Sequence, residues 1–229
     1  MNKGLSYNKF NETDTETLQI SNLELNDDDK EKVCNVIKEL KDDKGMNAYE
    51  KGKKLENLIK DILLATKVFK CLDNRNTTSN EFDILVKLNT NGKNLRHKRI
   101  IPEWIPDCFL IECKNHKEHV KVDLVGKFYS LMDVSNINLG IFISRIGISG
   151  SKDRYWNNAE AFVKKINLKY SESSNPKILL DLNLDDIEEV TKDGMNIIEV
   201  IETRKINIDM DINSSVNEWI TKHENEGFF

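Results

Sequence analysis

The segment Cys108-Phe-Leu-Ile-Glu-Cys-Lys114 constrains this chain more than any other. Its apolar middle, Phe109 to Ile111, reads as a strand in the interior of a sheet, yet it ends in a glutamate and a lysine. Residues two apart on a strand leave the same face, so Glu112 and Lys114 share a side and Cys113 takes the other, as suits a small thiol in a core. Two opposite charges at the end of a buried strand are costly unless they pair or bind something. The fold must therefore open at this point.

The surrounding pattern supplies the sheet. NDDDKEKVCNVIKELKDD reads as a helix capped by Asn26 or Asp27, with acids in its first turn and Val33, Val36, Ile37 and Leu40 at helical spacing. Gly45 is its stop. A second helix covers about Asn47–Lys67, with Leu55, Leu58, Ile59, Ile62 and Leu63 as its stripe and Glu56 beside that stripe. Three strand-like runs follow at 68–73, 81–88 and 108–114. Asn91-Gly92 signals a hairpin, so a basic hairpin or loop is expected between the second and third. Beyond Lys114 the pattern alternates: a helix over 121–136, a buried strand at 139–144, a helix over Arg154–Asn167, a strand at 177–182 and a helix from Asp185. The tail reads as an alternating strand, INIDMDI, and a short helix from Ser215, and a short strand is expected around Leu18 and Ile20. Consecutive strands imply a meander and alternating ones imply parallel crossovers, so the expected architecture is α/β with a mixed central sheet flanked by helices.

Composition narrows the partners. The 229 residues carry a net charge of −5, which excludes histone-like binding by bulk charge but not a local basic patch. No apolar run approaches the ~18 residues of a membrane-spanning helix. The first residues lack the apolar stretch of a signal peptide, and Cys34, Cys71, Cys108 and Cys113 form no CxxC or dense framework. They are read as reduced thiols of a cytoplasmic protein.

Asp83 lies on the strand pattern preceding Glu112 and can face the same opening. Two converging carboxylates and a lysine are what phosphodiester hydrolysis needs. Oxygen ligands hold a hard divalent ion such as Mg²⁺. The ion polarises phosphate and lowers the pKa of its bound water. An ammonium stabilises charge growing on phosphate oxygens or positions the water.

This arrangement resembles the PD-(D/E)xK, or restriction-endonuclease-like, superfamily, and within it the Mrr-type catalytic domains. The matching residues are Glu56 in KKLENLIKDIL, Asp83 in NEFDILV, the pair in LIECKN, the helix holding Phe128, and the strand GIFISR with its following Gly147–Ser149 turn. The likeness covers about residues 47–182. It implies a nuclease core over 46–205, an N-terminal extension over 1–45 and a tail over 206–229. It further implies Asp83, Glu112 and the Cys113 carbonyl as metal ligands, Lys114 as catalytic lysine, and Glu56 as an aid to the metal or its water. Mg²⁺ is the expected ion, with Mn²⁺ as a substitute. The expected activity is endonucleolytic cleavage of DNA in restriction or anti-phage defence, as a homo-oligomer or with a partner subunit. RNA as substrate, or an assembly or binding subunit without turnover, are the alternatives. Phe82 stands where the family often has proline, and the interval from Asp83 to Glu112 is long. A literal Pro106-Asp107 starts the Glu112 strand and is set aside as a decoy.

Neighbouring residues carry two readings each. Lys93, Arg96, His97, Lys98 and Arg99 are either a phosphate-contacting arm beside the active site or a solvated segment balancing nearby acids. Asn115 and His116 either touch phosphate or are ordinary loop residues. Ser144, Arg145 and Ser149 follow a parallel-type strand, where open α/β sheets tend to bind ligands. Trp104 stacks on a base or packs under a loop. His116 and His119 have zinc-like spacing, but no second pair of soft ligands accompanies them.

Overall fold

The computed structural model describes residues 20, 22–42, 45–73, 82–149, 158–171, 173 and 176–210. Helix α1 (Asp27–Asp42) begins at Asn26, whose carboxamide oxygen accepts the Asp29 amide at 2.9 Å. Three aspartates fill its first turn, where the helix dipole favours negative charge. Gly45 reverses the chain at φ +79°. Helix α2 (Ala48–Ala65) starts with a reciprocal cap between Asn47 and Glu50 and buries Leu55, Leu58, Ile59, Ile62 and Leu63.

One sheet of five strands carries the core, in the order β1 (Phe69–Asp73), β2 (Ile84–Leu88), β3 (Cys108–Lys114), β4 (Leu139–Ser144) and β5 (Ile178–Asn183). The first three form an antiparallel meander, and β3, β4 and β5 run parallel. Strand β3 is central, and every residue of β4 is buried.

The sheet has two apolar layers. On one side, Phe109, Ile111 and Cys113 pack with α1, α2, α6 (Leu184–Glu188) and α7 (Ile197–Asp209). On the other, Leu110 and Phe142 pack with α4 (Val122–Val134) and α5 (Ala159–Tyr170). The alternation expected for β3 is thus observed, and α1 joins the same core through Val33, Ile37 and Leu40. Gly140 lets α4 seat against β4: a methyl group there would collide with Met132 and Phe128.

Three local expectations are corrected. The Asn91-Gly92 pair makes no hairpin; it lies in helix α3 (Thr90–His97), capped by Asn89, whose side chain accepts the Gly92 amide at 2.9 Å. Glycine is needed there because the helix backbone lies against the Val68 carbonyl and Leu88, leaving no room for a side chain. The helix expected from Asp185 onward is broken: α6 passes into a 3-10 turn over Glu189–Thr191, Gly194 turns at φ +75°, and α7 restarts under an Asn196 cap. The start of INIDMDI, Ile206 to Asp209, completes α7 instead of forming a strand, with Asn207 fully buried. A few alternating residues match either period, and the preceding apolar turns decide in favour of helix. Ile20 is helical, not extended; Leu18, residues 154–157 of the helix expected from Arg154, and the helix expected from Ser215 lie outside the described residues.

Helix α3 is tethered by Asp107, at the head of β3. Its carboxylate pairs with Lys93 and Arg96, and Arg96 also donates to the Ile105 carbonyl at 2.8 Å. Lys93 and then Arg96 hold the Asp107 carboxyl below its ordinary range. A depressed folded pKa contributes stability above the unfolded carboxylate pKa and loses it as pH falls through the folded value. Asp107→Asn should therefore lower the melting temperature at neutral pH, with the difference from wild type closing in acid; a gap that widens in acid would contradict the assignment. Gly140→Ala should cost about 1–3 kcal/mol in denaturant unfolding, as overpacking does.

Candidate active site

The site forms beyond the start of β2, where β3 continues past its partner. The ladder's last pair is Ile84 with Ile111, so Cys113 projects its amide past the end of β2. Asp83, just before β2, takes that amide with its own carboxylate: the Cys113 N–H donates to Asp83 Oδ2 at 2.8 Å. A side chain thus replaces a ladder bond and fixes the carboxylate at the sheet's edge.

Lys114 completes the arrangement. Its Nζ lies 2.6 Å from Glu112 Oε1 and 3.4 Å from Asp83 Oδ2. Both carboxylates therefore touch one ammonium, and their oxygens can lie no farther apart than those two contacts together. The side chains of Asp83, Glu112 and Lys114 are 12%, 17% and 26% exposed, partly desolvated but open to solvent. Burial alone would push the Lys114 pKa down; Glu112 and then Asp83 more than offset it and hold the pKa above the ordinary lysine value. Lys114 is charged throughout the neutral range.

Cys113 faces the opposite layer. Burial, followed by the charges of Asp83, Glu56 and Glu112, pushes its thiol well above the usual range, so it stays protonated. Glu56 acts on that thiol from the helix α2 that packs on β3. Its Oε2 also accepts from Lys53 Nζ at 3.0 Å. Lys53 was not singled out from sequence, although its spacing three residues before Glu56 is the signal for such a pair.

The donor set suits a hard divalent cation of the Mg²⁺ class. Mg²⁺ is commonly held by one or two carboxylates and keeps several waters. Asp83 and Glu112 supply two carboxylates already gathered around one positive charge, and the Cys113 carbonyl lies between Glu112 and Lys114 on the same strand. Among the described residues no group of three His, Cys, Asp or Glu side chains is arranged to hold a metal. His116 and His119 are both exposed.

The basic residues of α3 are elsewhere. Asp107 immediately precedes β3 and Lys114 closes it, so Lys93 and Arg96, bound to Asp107, sit at the opposite end of the central strand from the acids. Arg99 pairs with Glu103, and Lys98 follows α3 at its C-cap. The expected arm beside the active site is thus a tethered helix remote from it, because the chain must cross from the far end of β2 to the start of β3. Trp104 packs on the core there, with the Lys205 ammonium 5.5 Å from its ring centre.

Near the acids, Arg145 follows the β4 residue paired with Lys114, and its guanidinium donates to the Lys41 carbonyl. The Ser144 hydroxyl accepts the Gly147 amide at 3.0 Å, and the Ser149 hydroxyl accepts the Ala159 amide at 3.3 Å. These contacts brace the turns after β4. Asn115 differs. Its Oδ1 and Nδ2 are both closed off from solvent and neither has a hydrogen-bond partner.

No family model matches this chain, and neither the curated proteins nor the solved structures include a match.

An unsatisfied buried polar group costs about 1–3 kcal/mol, and an apolar group of the same shape removes that cost. Asn115→Leu should therefore leave unfolding stability unchanged or raise it by up to about 2 kcal/mol. A clear loss in thermal or denaturant melts would show that the carboxamide has a partner.

Proposed function

We propose that this protein is a metal-dependent endonuclease that hydrolyses phosphodiester bonds in DNA. The observation that carries the reading is the joint contact of Asp83 and Glu112 with the Lys114 ammonium at the open end of the central strand. The order of elements from α2 to β4, a helix, a three-stranded meander with α3 between its second and third strands, a helix and a parallel strand, supports the likeness to a restriction-endonuclease-like core.

In this reading Asp83 and Glu112 hold the Mg²⁺ ion, with the Cys113 carbonyl as a further donor and Glu56 as an aid to the ion or its water. The bound ion supplies charge for the phosphate and a water of lowered pKa. Lys114 does the rest from the protein side. Its ammonium stays protonated between two carboxylates and is available to phosphate oxygens as negative charge grows on them. The Cys113 amide keeps Asp83 from swinging away. A setting in restriction or anti-phage defence, and a cytoplasmic one, rest on the family likeness and on four free cysteines. An acidic chain of this kind would engage DNA through a local patch, as an oligomer or beside a partner subunit.

Purified protein incubated with plasmid, linear DNA and RNA, in Mg²⁺, Mn²⁺ or EDTA, tests the reading. Metal-dependent cuts in DNA are expected, with Lys114→Ala lowering the rate at least about 100-fold, as loss of one charge-stabilising group does. Cutting of RNA alone would shift the substrate. No cutting under any condition would leave a nuclease-like fold serving as an assembly or binding subunit.

A further inference from the structure

The α3 cluster lies at the wrong end of β3 to hold a strand in the site, so the phosphate contacts must come from elsewhere. The loop from Asn115 to Lys121, between β3 and α4, begins at the residue after Lys114. His116, Lys117, His119 and Lys121 are exposed, as is the loop's single acid, Glu118, whereas Val120 is buried. Val120 bridges to Ile148: its amide donates to the Gly147 carbonyl at 3.2 Å, and its carbonyl accepts the Ser149 amide at 2.8 Å. The loop is therefore pinned at both ends, to β3 and to the turn after β4. A hollow of about 400 Å³ lies over it, lined by His116, Lys117, Glu118, His119, Lys121 and Leu124 with Val120.

Its direction also fits. Leu110 packs in the layer of Val120 and Val125, so Glu112 and Lys114, two and four residues on, leave β3 on the side over which this loop crosses. Loops at the carboxyl ends of parallel strands are where open α/β sheets receive ligands. His116, His119 and Lys121 make no ion pair among the described residues, unlike Lys93, Arg96 and Arg99. Positive and hydrogen-bonding groups on a pinned loop beside the acids match the repeating phosphates of a nucleic-acid backbone.

We propose that the loop from His116 to Lys121 is the backbone-binding strip of the site, gripping phosphates adjacent to the one that is cut. This assignment rests on the nuclease reading and adds the surface that holds its substrate. The strip recognises phosphodiester backbone, so duplex DNA and RNA of the same length serve as separate probes.

Fluorescence anisotropy in EDTA, which blocks cutting, measures binding of each probe over a salt series. The variant carrying His116→Gln, Lys117→Gln, His119→Gln and Lys121→Gln changes only exposed side chains. It should bind the preferred probe roughly tenfold more weakly. Its log–log salt dependence should flatten by about two, one for each lysine. Lys93→Gln with Lys98→Gln should bind within about twofold of wild type. Unchanged binding by the loop variant, with metal-dependent cutting intact in wild type, overturns the strip while the nuclease reading stands. Larger losses from the α3 variant than from the loop variant overturn it as well. A wild-type protein that neither binds nor cuts either probe overturns both.

Discussion

One ammonium between two carboxylates organises this protein's open end. Without Lys114, Asp83 and Glu112 would be two partly desolvated negative charges converging at the end of a buried strand with no cation between them, an arrangement that costs free energy. With it, the three groups share solvent poorly but charge well, and the lysine stays protonated despite its burial. The backbone takes part: because β2 begins only at Ile84, the Cys113 amide is left for the Asp83 side chain, and the same bond that closes the ladder positions the acid. The sheet's edge and the site are one construction.

The two ends of β3 do different work. At its start, Asp107 neutralises Lys93 and Arg96 and ties α3 to the sheet, so these charges hold the fold together. At its end, the partly exposed charges lie next to the start of the loop to α4. Linear proximity of basic residues to Glu112 was therefore a poor guide to spatial proximity. A strand of seven residues at about 3.3 Å per residue separates the two ends by about 20 Å.

Most of the architecture was legible because it rests on long, strongly periodic segments. The stripe of Leu55, Leu58, Ile59, Ile62 and Leu63 and the nearly all-apolar run of Leu139–Ser144 each admit one reading. The meander and the parallel half followed from the spacing of strands and helices. Asp83, Glu112 and Lys114 were legible too, because two charges closing an apolar strand need partners. What misled was short-range chemistry with two physical causes. Gly92 reads as a turn residue, yet it is required by close contact with Val68. Ile206, Ile208 and Met210 alternate like a strand, yet Ile206 and Ile208 continue a helix, capped by Met210, whose earlier turns are already committed to the core. The orphaned carboxamide of Asn115 and the pinning of Val120 to Ile148 left no trace in the sequence, since both depend on what the fold encloses.

The account stands on a cation joining the groups that Lys114 already gathers. Anomalous scattering from a crystal soaked in Mn²⁺ addresses it directly. The account predicts a single strong peak within coordination distance, about 2.0–2.3 Å, of both the Asp83 and Glu112 carboxylates. A peak bound elsewhere, or none at these two acids at saturating Mn²⁺, would contradict it.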